Sequence, residues 1–229
     1  MLVSHKYGFI FVKTRKTGGS SVELALAPLC GPDDIVTPLK EYGASDTPGA
    51  EPRNHRLPRS QWSAGNRLRQ TLGRPQRNRG TGFFQHMPAA DIRRLLGDNI
   101  WNDYLTFTIE RNPWDRQVSL YHWHYRDYAS PPPFRAFIRS PLKRKKSRNW
   151  SMYTVNGKVI VDHVIPYDRL QAGLDELLQK IGIRGGVPLP QAKSGFRAPR
   201  DYRDYYDDDT KRIVANWYAD EIRTFGFEF

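Results

Sequence analysis

Apolar residues along the chain fall into short runs separated by stretches with helical spacing. "KYGFIFVK", residues 6–13, is apolar and rich in β-formers, which predicts a strand buried on both faces, with residues 1–6 leading straight into it. Two glycines follow. Val22, Leu24, Ala25 and Leu26 then predict a helix over residues 20–27, ended by Pro28 and Gly31. Residues 31–82 are rich in Pro, Gly and Arg with weak periodicity, and read as loop with one short helix near 62–72. "PAADIRRLLG" has a helical start, a glycine stop, and Ile92, Leu95 and Leu96 on one face.

"YLTFTIE", residues 104–110, predicts a second buried strand. In "RNPWDRQVSLYHWHY", Asn112 suits an N-cap and Pro113 the first helical position, with Val118, Tyr121 and Tyr125 on a shared face. "PPPF" at Pro131 opens a loop, and "YTVNGKVIVDHVI" reads as a hairpin turning at Asn156-Gly157. Residues 170–183 and "DDDTKRIVANWYADEIRTFGF" predict two further helices, the last started by acids and ended by Gly226. Strands alternating with helices over 229 residues predict one α/β domain with a largely parallel sheet.

Charge sharpens this picture. The formal net charge is +12 and its excess is local. Residues 52–90 contain no Asp or Glu but carry Arg53, Arg56, Arg59, Arg67, Arg69, Arg74, Arg77 and Arg79. A second acid-free stretch, residues 128–161, contains "KRKKSR". Such runs either form solvated surface or attract an anionic partner. The single Cys30 excludes an intrachain disulfide and a multi-cysteine metal site, and reads as a small packed hydrophobe. No run approaches the roughly 20 apolar residues of a membrane helix. The chain starts without a charged-then-apolar segment, which predicts a cytoplasmic protein or a catalytic portion of something longer.

The turn "KTRKTGGSS" carries the most chemistry. A strand entering a helix through Gly-Gly presents unpaired backbone N–H groups at the positive end of the helix dipole, which is an anion site. Thr17, Gly18, Gly19, Ser20 and Ser21 supply donors, and Arg15 and Lys16 supply charge. The alternative is a tight turn whose glycines serve only packing. A nucleoside-triphosphate loop needs its lysine after the last glycine, but Lys16 precedes Gly18. Asp162, closing "VIVD", is the one acid placed to pass for a Mg²⁺-holding strand end.

"KTGGSS" after "FIFV" resembles the 5′-phosphosulfate loop of sulfotransferases that use 3′-phosphoadenosine 5′-phosphosulfate (PAPS). "FTIERNPWDRQVSLY" is similar to the 3′-phosphate motif of that superfamily. The stretch from "HMPAADIRRLL" to "RNPWDR", and the tail from "YRDYYDDD", resemble its carbohydrate branch, which includes heparan-sulfate 2-O-sulfotransferase-like enzymes. Residues 31–82 and 129–149 lie outside the resemblance and read as insertions in a single domain spanning 1–229. The chain departs from the branch at Arg15, which stands for its usual Pro, at Glu110, which stands for an apolar residue, and in "VDHVIPYDRL".

The resemblance implies a Rossmann-like, P-loop-type sheet flanked by helices, a PAPS donor with 3′-phosphoadenosine 5′-phosphate (PAP) as product, and no metal. It implies that residues 15–21 hold the 5′-phosphate and that Lys16 neutralises charge on the leaving group. Arg111 and Ser119 would then meet the 3′-phosphate. Lys193, Ser194 and Arg197 would close over it, with Phe196 facing adenine. His86, in "GFFQHM", matches the branch's general base, and an imidazole with a pKa of about 6.5 suits that task. His55 is the second candidate. His55, Arg53, Arg56 and Arg59 are expected to line a groove for an anionic glycan. A kinase-like nucleotide enzyme using Asp162, or a basic nucleic-acid-binding module, remain as alternatives. No recognisable nucleic-acid motif favours the latter, so nucleic acid is not an expected partner.

Overall fold

Alternation in "FIFV" sends Phe9 and Phe11 to one face of a sheet and Ile10 and Val12 to the other, and all four side chains are fully buried. The computed structural model describes residues 1–39, 47–75, 80–140, 148–190 and 200–229. Its strands are β1 (Leu2–Ser4), β2 (Phe9–Val12), β3 (Ile35–Val36), β4 (Leu105–Glu110), β5 (Thr154–Val155), β6 (Lys158–Val159) and β7 (His163–Pro166). The main sheet has five strands in the order β3-β1-β2-β4-β7. β2, β4 and β7 run parallel, while β1 is antiparallel to both β2 and β3.

The sheet is therefore mixed, with a parallel half that carries the site. Residues 1–6 do not lead directly into the long strand. β1 is a separate strand that turns back through Gly8, whose φ is +63°. Asn156 and Gly157 turn the small β5-β6 hairpin with positive φ at both positions, but "HVI" leaves that hairpin to become β7 of the main sheet.

Helices cover both faces: α1 (Gly19–Leu26), α2 (Ala64–Thr71), α3 (Ala89–Leu96), α4 (Asp98–Asp103), α5 (Pro113–His124), α6 (Phe134–Arg139), α7 (Trp150–Tyr153), α8 (Leu170–Lys180), α9 (Asp208–Trp217) and α10 (Ala219–Phe225). On one face Phe9, Phe11 and Phe107 pack with Val22, Leu26, Leu174 and Leu177 of α1 and α8. The rings of Phe11 and Phe107 stack at 5.0 Å, and full burial of each is worth about 2–3 kcal/mol. On the other face Ile10 and Val12 meet Ile92, Trp101, Met152 and Tyr153. A third cluster joins α5, α6 and α9 through Val118, Phe137 and Val214. The expected last helix is two helices, α9 and α10, divided at Tyr218, and Gly226 ends the second in the left-handed region at φ +65°. Among the described residues no helix is long and apolar enough to cross a membrane.

Candidate active site

Three loops leave adjacent parallel strands at their carboxyl edge, the position where α/β sheets bind ligands. Residues 13–18 follow β2, Arg111 and Asn112 follow β4, and Tyr167 follows β7. The sequence between them is long, since Lys16 and Arg111 are 95 residues apart, yet Arg111 NH1 donates to the Lys16 carbonyl at 3.3 Å.

The first loop is built from beneath. Lys13 is buried, and its Nζ donates to Glu23 of α1 at 2.5 Å, so the incoming strand is tied to the outgoing helix. A Cβ on Gly19 would sit 2.9 Å from Lys13 Cγ, so Gly19 leaves room for that lysine to pass under the turn. Gly18, the N-cap of α1, has φ +77° and lies against Tyr167 and Leu170, where a Cβ would come within 3.1 Å of both. The glycines thus serve packing. No side chain caps α1, and of its first N–H groups that of Ser21 donates to the Gly18 carbonyl at 2.9 Å. Lys16 also adopts a left-handed conformation, φ +61°, and its Nζ lies 5.5 Å from the centre of the Trp123 ring. Arg15 is clamped by Asn149, which accepts from its N–H at 2.9 Å and donates to its carbonyl at 3.0 Å.

The second loop enters α5. Asn112 Oδ1 accepts from the N–H of Trp114 and Asp115, and Pro113 occupies the first helical position. Arg111, Asp115, Ser119 and Trp123 follow at intervals of four and share a face. Arg111 Nε donates to Asp115 at 2.7 Å, and its guanidinium lies 4.1 Å from the centre of the Tyr167 ring. These contacts hold the fork while its NH2 group has no acceptor among the described residues. Glu110 pairs with Arg116 through side chains, and with Arg111 only through its backbone N–H at 2.9 Å.

His86 stands on the opposite side of the first loop, just before α3. Its φ is +55°, and Nδ1 lies 3.1 Å from the carbonyl of Lys13. A carbonyl only accepts, so Nδ1 carries the proton and the neutral ring presents a bare Nε2. Burial first, and then the Lys13 ammonium, push its pKa down to about 3. The cause is therefore the buried site beside Lys13, not the neighbouring Arg-rich loop.

The family model for sulfotransferases matches residues 1–228. The chain belongs to the sulfotransferase family. A protein of Archaeoglobus fulgidus without an assigned function is 37% identical over 101 residues, which are 42% of this chain and 83% of that protein. The fold is similar to mouse sulfotransferase SULT7A1 complexed with PAP, with a TM-score of 0.50 and 15% identity over 96% of this chain and 86% of the mouse chain. A sulfotransferase from Alicyclobacillus acidocaldarius gives a TM-score of 0.46 with 18% identity, covering 97% and 96% of the two chains.

The remaining residues singled out in this sulfotransferase divide by location. Thr17 and Ser20 are buried in the first loop, while Ser21 and Ser119 are half-buried. Arg53 points into the fold. Its guanidinium donates to the carbonyls of Ala27, Cys30, Gly31 and Gly49 at 2.9–3.1 Å, which gives it a structural part at the end of α1 and removes it from the expected acceptor groove. His55 is half-buried, and its carbonyl accepts from the N–H of Phe83, which lays residues 53–57 along the strand of chain leading to His86. Burial, then Arg56, lower its pKa. Arg56 and Arg59 are exposed. Lys193, Ser194, Phe196 and Arg197 lie outside the described residues. Asp162 accepts from the N–H and hydroxyl of Thr106 at 2.8 and 2.7 Å, a use within the sheet. Among the described residues no cluster of His, Cys, Asp or Glu is placed to hold a metal ion.

Sequence reasoning missed Lys13, Tyr167, Asn149 and Trp123 as parts of the site. Lys13 is legible afterwards as a lysine directly after an apolar buried strand, where burial demands a partner such as Glu23. Tyr167 and Asn149 have no local signal, because their contacts are made across the sheet.

Proposed function

We propose that this sulfotransferase moves the sulfuryl group of PAPS to a hydroxyl of a carbohydrate, with His86 as general base. The observation that carries the reading is the meeting at Lys16: the uncapped start of α1 and the Arg111 fork, from distant parts of the chain, converge on one loop. A nucleotide with phosphate on both its 5′ and 3′ sides fits that pair, since each site offers donors with no partner among the described residues. PAPS supplies an activated sulfuryl group that leaves behind a phosphate, and the acceptor hydroxyl must lose its proton.

The residues divide that work. Backbone N–H groups of Gly18, Gly19 and Ser20 receive the 5′-phosphate, with Thr17, Arg15 and the Ser21 hydroxyl beside them, the Ser21 N–H itself donating to the Gly18 carbonyl at 2.9 Å. Lys16 neutralises charge on the departing phosphate oxygen, with its ammonium 5.5 Å from the centre of the Trp123 ring. Arg111 presents its Nη2 group to the 3′-phosphate and Ser119 adds a hydroxyl. Lys193, Ser194 and Arg197 belong to the same reading as a loop over the nucleotide. His86 Nε2 takes the hydroxyl proton, while Nδ1–H stays on the Lys13 carbonyl and fixes the ring. The exposed Arg56 and Arg59, with His55 behind them, favour an anionic glycan as acceptor.

PAP should therefore stabilise the fold. At a hundredfold excess over Kd the gain is about 2.7 kcal/mol, which raises Tm by about 5–10 °C for a chain of this size. Thermal melting with PAP and with ATP checks this. An equal rise with ATP, or none with PAP, contradicts the nucleotide assignment.

A further inference from the structure

The residue before Arg111 is a buried carboxylate. Glu110 ends β4 with 1% exposure. One of its oxygens accepts from the N–H of Arg111 at 2.9 Å and from the Arg116 guanidinium, and the other accepts from the Tyr153 hydroxyl at 2.8 Å. Arg116 is fully buried and reaches on to Glu221 of α10 at 3.3 Å, with its guanidinium 4.7 Å from the centre of the Tyr218 ring. The cluster thus joins the end of β4, α5, α7 and α10 beneath the second loop.

Such clusters are costly to bury, and apolar side chains of similar volume often stabilise a fold as well or better. What an apolar residue at position 110 cannot do is accept a hydrogen bond from the next peptide. Arg111 is consequently held twice, at its backbone by Glu110 and at its guanidinium by Asp115 and Tyr167. An anchor at the backbone and another at the guanidinium fix where the Nη2 group, which has no acceptor among the described residues, points. Loss of the backbone anchor leaves the guanidinium tied to α5 but lets the peptide rotate.

We propose that Glu110 is a positioning residue for the 3′-phosphate site, aiming Arg111 through its backbone N–H with Arg116 and Tyr153 as supports. This rests on the reading of Arg111 as the 3′-phosphate ligand. Its mark is selective: binding of a nucleotide that carries a 3′-phosphate depends on Glu110, and binding of one that lacks it does not.

Calorimetric titration with PAP and with adenosine 5′-monophosphate, which has no 3′-phosphate, tests this in the full chain. Glu110→Gln keeps an acceptor but not the charge and acceptor capacity for all three donors. It should weaken PAP about tenfold and leave the monophosphate within about twofold. Tyr153→Phe should weaken PAP about threefold with the same selectivity, and decides the matter if Glu110→Gln does not fold. Parallel losses for both ligands, or no loss for either, would show a purely structural role and overturn the proposal. Arg111→Ala separates the two levels. If it leaves the ratio of the two affinities unchanged, the 3′-phosphate reading itself fails; if it collapses the ratio while the Glu110 and Tyr153 variants do not, only the positioning role fails.

Discussion

His86→Asn should lower turnover by about 10²–10⁴-fold while PAP affinity stays within about twofold. Asparagine is the informative replacement. It tolerates the left-handed backbone that His86 adopts at φ +55°, and its amide N–H can still reach the Lys13 carbonyl, so the loop keeps its shape while the basic nitrogen is lost. The pH profile gives a second readout. Free His86 titrates at about 3, depressed first by burial and then by Lys13, so kcat/KM should show no acid limb from this residue between about pH 5 and 8. Anionic donor and acceptor bound beside the ring favour its charged form, so the limb in kcat should lie at higher pH than the limb in kcat/KM. Stability follows the same group. A histidine depressed from 6.5 to about 3 contributes stability that is present above pH 6.5 and is lost as pH falls toward 3. Across that window the melting temperature of the parent should fall more steeply than that of His86→Asn. The same turnover assay on His55→Ala separates the candidates: a lost rate there with His86→Asn within a few fold would place the base in the Arg-rich loop.

Lys16→Met should have the next largest effect, a drop in turnover of about 10²–10³-fold with a much smaller change in PAPS affinity. Methionine keeps a side chain of similar length and removes the ammonium that sits 5.5 Å from the centre of the Trp123 ring. The separation of effects is the point. In PAPS the bridging oxygen carries no charge of its own, and the charge that Lys16 offsets develops as the bond to sulfur breaks and is complete in PAP, so PAPS is the ground-state ligand for the comparison. Single-turnover rates with PAPS, set beside calorimetric PAPS affinity in the absence of acceptor, measure the two quantities separately. A loss of affinity matching the loss of rate would make Lys16 an ordinary phosphate ligand.

Local chemistry was readable in the chain wherever a few consecutive residues settle it. The two glycines before α1, the Asn112-Pro113 start of α5 and the Asn156-Gly157 turn each announce themselves, because backbone conformation and capping depend on near neighbours. β1 did not, since three residues offer no periodicity and its antiparallel pairing is made with distant β3 as well as β2. The short helices α4, α6 and α7 likewise fell below what hydrophobic spacing can resolve.

Within the candidate site, the legible part was the set of loop residues with a local signature, and the illegible part was what holds them. Asn149 clamps Arg15 from 134 residues away, and Tyr167 backs both Gly18 and Arg111 from a different strand. Arg53 shows the limit of composition. It sits in an arginine-rich run that suggests a charged groove, yet its donors fill four backbone carbonyls near the end of α1. Charge density cannot distinguish an arginine that meets solvent from one that satisfies buried carbonyls.

The central claim, transfer of a sulfuryl group from PAPS to a glycan hydroxyl, is tested most directly by incubating the protein with PAPS labelled with radioactive sulfur and a panel of glycans, phenols, lipids and peptides. Label should enter an anionic oligosaccharide in the parent and be lost in both His86→Asn and Lys16→Met. Label confined to a phenol, lipid or peptide would contradict the glycan acceptor. Retention of full transfer in both variants would contradict the site, and PAPS left unconsumed with every acceptor would contradict the claim itself.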